Sequence, residues 1–321
     1  MKKIICILIS LVMATATFTG CRFLGGGGND SNTLHVQIFQ GGYGTDWLYE
    51  MADLYSETYP DWDVDIDVIY ESSDAVDELK SGSSKVDLYF NKTEISKFVL
   101  KPTNIFGTTY ETLLEDLTDI YNEPLPGENV TLKEKMDPYF VEVNKYTAED
   151  GSEHYYATPW AVGTVGIVKN NKLWDDDWPV PVTTNELFEV LDTIKAETNT
   201  APFIFSLEDS YWDLMYNVWF YQYDGLEAAN NFFEGIAADG RKYVPEFLLY
   251  QGRYEALRVM ERILDPDNGY VHEYSYSVNF TSAQNYFLEG SLNSPLTCNA
   301  DWMNGELLLN YGADEVDLEM I

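Results

Sequence analysis

The residues of this chain best suited to holding a ligand are aromatic and polar. Eight Trp, 24 Tyr and 16 Phe make up 15% of 321 residues. Indole and phenol rings stack on flat CH-bearing faces, and Asp, Asn, Glu and Gln exchange hydrogen bonds with hydroxyls at the rim. That is the chemistry of gripping a carbohydrate without breaking a bond in it. Side chains for covalent chemistry are scarce. His35, His154 and His272 are far apart and show no zinc spacing. Of Cys6, Cys21 and Cys298, only the last lies in the body of the chain, so no internal disulfide is expected. Asp265-Pro266-Asp267-Asn268-Gly269 with Glu273 hints at a calcium loop. Its glycine falls one position early for an EF-hand, and the run reads as a helix-ending turn. No cofactor or metal is expected.

Charge excludes further classes. Lys and Arg total 19 against 54 Asp and Glu, a formal net charge of −35. Such a surface repels nucleic acid, and it stays off anionic lipid unless tethered.

The elements that must position these residues alternate in type. Leu34 to Phe39 reads as a strand, and Gly41-Gly42-Tyr43-Gly44 turns the chain. Thr45 or Asp46 can cap a helix bearing Trp47, Leu48, Met51, Leu54 and Tyr55. Val64, Ile66 and Val68 alternate with aspartates in a second strand, a helix is expected over 73–79, and Val86 to Phe90 forms a third strand. Strand and helix alternation predicts an α/β domain with a largely parallel sheet. Further on, a glycine-interrupted β-rich stretch spans 155–170, and Thr183 or Thr184 caps a helix. A strand is expected at Phe203-Ile204-Phe205, helices over 211–223, 254–264 and 282–288, and a last strand over 316–321.

The N-terminus has the layout of a secretory signal: two lysines, an apolar run from Ile4 to about Phe18, then small residues. Cys21 after Thr19-Gly20 resembles a bacterial lipobox, with Phe18 where that pattern prefers Leu. The resemblance implies lipidation of Cys21 and attachment to the outer face of the cell membrane through acyl chains. Gly25 to Asn32 then reads as a flexible tether.

Four stretches in order resemble the extracellular solute-binding lipoproteins of bacterial ABC sugar transporters, the maltose-binding-protein-like group. They are Phe39 through Trp47, Tyr156-Ala157-Thr158-Pro159-Trp160 running to Leu173, Phe280 through Gly290, and Asn299-Ala300-Asp301-Trp302. The resemblance implies a two-lobed α/β, periplasmic-binding-protein-like fold with a hinge and an interlobe cleft. It places a signal at 1–20, a tether at 21–32, lobe one at 33–156 and lobe two at 157–321. It implies a monomer that captures a carbohydrate, such as an oligosaccharide, and delivers it to a membrane permease without catalysis. Family members continue past the strand ending at Ile321, so closing elements of both lobes are expected to be missing.

By the same resemblance Trp302 is the first candidate stacking residue, with Asn299 and Asp301 as hydroxyl partners. Tyr211 and Trp212 open a helix that follows a strand, a position that faces ligand in such folds. Trp160 beside Pro159, Tyr43 on the glycine loop and Asn91 at the end of the third strand complete the set, while Trp47 is expected to pack the first helix. Two other readings stay open: a cationic ligand such as a polyamine held by carboxylates and aromatic rings, and a surface glycoside hydrolase using paired carboxylates.

Overall fold

The computed structural model describes residues 32–70, 75–92, 103–105, 108–110, 112–148, 150–208 and 211–321. The signal, Cys21 and most of the tether lie outside the described residues. The chain forms two compact units, one ending at Val162 and one beginning at Gly163. The expected division fell six residues earlier. Residues 157–162 associate with the first unit: Tyr121 Oη donates to the Ala157 carbonyl at 2.7 Å, and Trp160 stacks on Trp47.

The first unit begins with three parallel strands, β1 (Thr33–Phe39), β2 (Asp63–Ile69) and β3 (Leu88–Phe90), in the order β2-β1-β3. Helix α1 (Asp46–Thr58) carries the chain from β1 to β2, and α2 (Ala75–Ser81) leads to β3. The alternation in β1 decides its faces. Leu34, Val36 and Ile38 are buried, and Leu48 and Tyr55 of α1 join them in one core cluster. On the other face His35 and Gln37 lie beside Asp65 and Asp67, their register partners on β2. Thr45 holds the cap position of α1, but its side chain makes no capping bond.

The rest of this unit is built from short pieces. Hairpin β4 (Thr103–Ile105) and β5 (Thr108–Tyr110) precedes helices α3 (Thr118–Asn122), α4 (Leu132–Lys135) and α5 (Pro138–Val143). Hairpin β6 (Lys145–Thr147) and β7 (Glu153–Tyr155) follows. Tyr121 and Tyr155 stack at 4.0 Å in the local core. Burial pushes the Tyr121 phenol up to about 12.

In the second unit an antiparallel sheet of order β10-β8-β9 sits among helices. Its strands are β8 (Val165–Asn170), β9 (Leu296–Ala300) and β10 (Leu318–Met320). The helices are α6 (Thr184–Thr198), α7 (Tyr211–Phe233), α8 (Gln251–Leu264), α9 (Phe280–Glu289) and α10 (Met303–Leu308). Thr183 and Glu186 form a reciprocal capping box on α6. Asn279 caps α9 through the Ser282 N–H, and Gly290 closes that helix at φ 66°. Two expectations change here. Phe203-Ile204-Phe205 is fully buried beside β9 but makes only single-residue bridges, because its backbone groups divide between Leu296 and the Tyr270–His272 segment. Helix α7 runs ten residues beyond the expected end, past a break at Gly225, where φ is 81°. No described helix is long and apolar enough to cross a membrane.

Candidate ligand-binding surfaces

The carboxyl ends of parallel strands are where open α/β sheets bind ligands, because the loops there diverge and leave a crevice. In the first unit Ile38 pairs with Phe90, so β1 and β3 deliver the residues that follow them to one edge. After β1 come the glycine loop and the start of α1; after β3 come Asn91 and Lys92. An aromatic array occupies this edge. Trp47 meets Phe90 edge-on at 5.2 Å and stacks on Trp160 at 5.6 Å and 21°. Phe90 meets Trp160 edge-on at 6.1 Å, and Tyr43 does the same at 6.3 Å. Tyr43 Oη donates to the Val162 carbonyl at 3.2 Å, which ties the loop to the extended segment that follows Trp160. Tyr43 is exposed, whereas Trp47, Phe90, Asn91 and Trp160 are half-buried. Two glycines shape the loop: a Cβ on Gly41 would lie 3.2 Å from the Phe39 ring, and Gly44 sits at φ 66°. The Lys92 ammonium lies 4.3 Å above the Phe39 ring. Trp47, expected only to pack its helix, is therefore also part of the array.

The second unit gathers its candidates at one end of its own sheet. Strand β9 runs into Asp301 and Trp302, and α10 starts at the next residue. The segment around Phe203 runs parallel to β9 and leads to α7 at that same end. Helix α9 leads back toward the start of β9, so Phe280, its first residue, also lies where β9 finishes; Ser206 Oγ donates to the Val278 carbonyl there. Tyr211 and Phe280 have ring centroids 6.0 Å apart. Trp302 is half-buried and Asp301 exposed, with the Asp301 N–H donating to the Thr164 carbonyl at 3.0 Å. Glu306 lies one helical turn beyond Trp302, and burial pushes its carboxyl up against a hydrogen bond from Gln284 at 2.8 Å. No spacing signal singled out Glu306, since it reads as an ordinary polar position of a short helix.

Two candidates turn inward. Trp212 is 4% exposed, stacked on Phe205 at 4.7 Å and edge-on to Trp219. The phase of α7 sends Tyr211 outward and its neighbour into the core. Asn299 is buried in β9, where every residue is buried, and its side-chain oxygen accepts from the Ala300 N–H at 2.8 Å. Neither presents a surface on which a ligand can rest.

A further cluster escaped the sequence reading because its members are spread along the chain. His154 Nδ1 lies 2.7 Å from Asp116 Oδ2, and Ser152 Oγ lies 2.8 Å from His154 Nε2. The order serine, histidine, aspartate is that of a hydrolytic relay. Here the Ser152 hydroxyl also donates to Asp150 at 2.6 Å. The N–H groups of Gly151 and Ser152 are committed too, to Ala148 and Asp150, so neither is directed at an oxyanion. The cluster acts as a clasp between the β6–β7 hairpin and the start of α3. Burial alone raises the Asp116 carboxyl, but hydrogen bonds from Thr118 and His154 outweigh it and hold the group below the usual range. The ammonium of Lys195, on α6, donates to the Asn268 carbonyl in the loop after α8. Among the described residues no group of three or more His, Cys, Asp or Glu is placed to hold a metal ion.

No protein-family model matches the sequence, and no curated protein matches it at a significant level. Solved structures do. RafE from Streptococcus pneumoniae, in its apo form, superposes with a TM-score of 0.60 at 18% identity, covering 92% of this chain and 68% of RafE. The GacH receptor of Streptomyces glaucescens, solved unliganded and with acarbose, gives 0.57 at 16% identity, covering 91% and 67%. Maltose-bound MalE3 of T. maritima gives 0.56 at 17%, covering 91% and 67%. The chain spans about two-thirds of the length of these structures, and over that span it has the α/β fold of the periplasmic sugar-binding proteins.

Proposed function

We propose that this chain is the ligand-binding component of an ABC importer. It holds a carbohydrate, such as an oligosaccharide, and hands it to a membrane permease. It works outside the cytoplasm, attached to the membrane by lipid on Cys21. The observation that carries the carbohydrate reading is the Trp47, Trp160, Phe90 and Tyr43 array, placed at the carboxyl edge of β1 and β3. Partly exposed indole and phenol faces suit the apolar faces of sugar rings, and Asn91 beside them suits hydroxyls. Trp302 and Tyr211, with Asp301, supply the same chemistry at the sheet end of the second unit. Structural neighbours solved with maltose and with acarbose support the same class of ligand.

The test is a fluorescence titration and thermal-shift screen over neutral glycans, headed by maltose and acarbose, with polyamines in parallel. A ligand that binds only the folded state raises its melting temperature. Trp160→Ala and Trp302→Ala should each weaken glycan binding at least tenfold, the loss of about 1.4 kcal/mol of stacking. Stabilisation by polyamines and by no glycan would replace the carbohydrate with a cation held by the same rings. Release of shorter products from a glycan would move the protein to the hydrolases. Metabolic labelling with a fatty acid, lost in Cys21→Ala, tests the anchor.

A further inference from the structure

Glu306 is a carboxylate set into the second unit without a cation. Two helices place it. On α10 the Glu306 N–H donates to the Trp302 carbonyl at 3.1 Å, so the two side chains, one helical turn apart, leave the same face. On α9, Phe280 and Gln284 stand in the same relation. Met303 and Leu307 of α10 pack with Ala283 and Phe287 of α9 in one core, and this turns Glu306 and Gln284 toward each other at its margin. Gln284 is buried, and its Nε2 donates to Glu306 Oε2 at 2.8 Å. Further along the same helices, Tyr311 Oη donates to Asn285 Oδ1 at 3.0 Å and to Glu289 Oε1 at 3.2 Å. Of these links, Gln284–Glu306 is the one nearer the sheet end where Trp302, Phe280 and Tyr211 lie.

The surroundings of Glu306 are unbalanced. Among the described residues no Lys, Arg or His pairs with it, and Gln284 is the partner of its carboxylate. A carboxylate drawn partly out of water keeps acceptor capacity that one amide does not fill. Glu306 is half-buried, and its second oxygen is not enclosed, so a ligand atom can reach it. The rings at this end attract cations as well as sugar CH groups. The net charge of −35 enriches cations around the chain and repels anions. A protonated amine gains from the carboxylate, from the rings and from the overall field, whereas a hydroxyl gains only a hydrogen bond.

We propose that Glu306, oriented by Gln284, receives a protonated amine of the ligand, so that the carbohydrate held at Trp302 is an amino sugar. This inference rests on the carbohydrate reading above and narrows it to one chemical class.

The test compares β-1,4-linked trisaccharides of glucose, N-acetylglucosamine and glucosamine by calorimetric titration of the full chain in mildly acidic buffer. The three share a skeleton, and only the last is charged. The glucosamine trisaccharide should bind about tenfold more tightly than the other two, the scale of a cation–π contact joined to a charge-assisted hydrogen bond. Glu306→Gln should bring that ratio to about one with the melting temperature retained. This variant removes a single charge from a strongly acidic chain, so a preference that survived in it would come from the general field and would overturn the assignment. Equal binding of the three by the unaltered chain, or binding of the neutral pair alone, would overturn the amino-sugar inference and leave the carbohydrate reading standing. No binding of any of the three would overturn it too, and the neutral-glycan screen above then decides whether the carbohydrate reading stands.

Discussion

Asp116 shows how one carboxylate can fasten distant segments. It accepts from the Thr118 backbone N–H at 2.9 Å at the start of α3 and faces His154 of β7 at 2.7 Å. Because its folded pKa is depressed, its contribution is fully present above the unfolded carboxyl value of about 4 and is lost as pH falls through the folded value. Asp116→Asn should therefore lower the melting temperature at neutral pH. The gap from wild type should close only as pH falls below the folded value, where both side chains are neutral. A gap that stayed constant through acid titration would show that packing, not charge, carries the effect. At Cys298 the environment acts in the opposite direction: complete burial pushes the thiol far up, so it is held as the neutral, unreactive form. Thiol reagents should spare Cys298 until denaturant is added, which mass spectrometry of the labelled peptide resolves.

Between elements, the break in α7 has a structural use. Helix α8 starts after Tyr250, which offers no side-chain cap. Asp224, next to the break at Gly225, accepts instead from the Gly252 N–H at 2.6 Å, so one helix caps the next. The approach is close: a Cβ on Gly252 would lie 2.5 Å from Asp224 Cγ and 2.8 Å from its backbone nitrogen. Asp224→Ala should cost about 1 kcal/mol, the usual value of a lost cap. Gly252→Ala should cost about 1–3 kcal/mol by forcing the helices apart. Denaturant unfolding of the two variants checks the order, and a neutral Gly252→Ala would show that the helices have slack. This coupling was not legible in the sequence, since Asp224 and Gly252 are far apart and neither has a local signature. What was legible was local. The alternation of Val64, Ile66 and Val68 with aspartates, a threonine cap at 183 or 184 and Gly290 after α9 each fix a few neighbouring backbone angles. Phe203-Ile204-Phe205 was misread because composition reports burial, whereas a ladder needs partners that only the tertiary fold supplies.

At the scale of the molecule, candidate residues could be located in the sequence by the loops and strand ends that carry them, but their facing depended on helix and strand phase. Tyr211 and Trp212 are adjacent in sequence, yet one lies at the surface and the other under Phe205. Trp160 required two elements distant in sequence before its stacking partner was defined. Charge, by contrast, was fully visible, and it carries a consequence for stability. With 54 acidic and 19 basic side chains, most carboxylates have no cation to pair with. The Lys135–Glu128 and Arg241–Asp239 pairs are at least partly exposed and are each worth about 0–1 kcal/mol. Self-repulsion acts over the whole surface and favours the expanded chain. Salt weakens both, since the Debye length falls from about 10 Å at 0.1 M to about 3 Å at 1 M. The few pairs lose little, while the many unpaired carboxylates gain at every separation beyond a few ångströms. Sodium chloride should therefore raise the melting temperature steadily across that range, by several degrees. A fall with added salt would mean that the small set of local pairs outweighs the net charge.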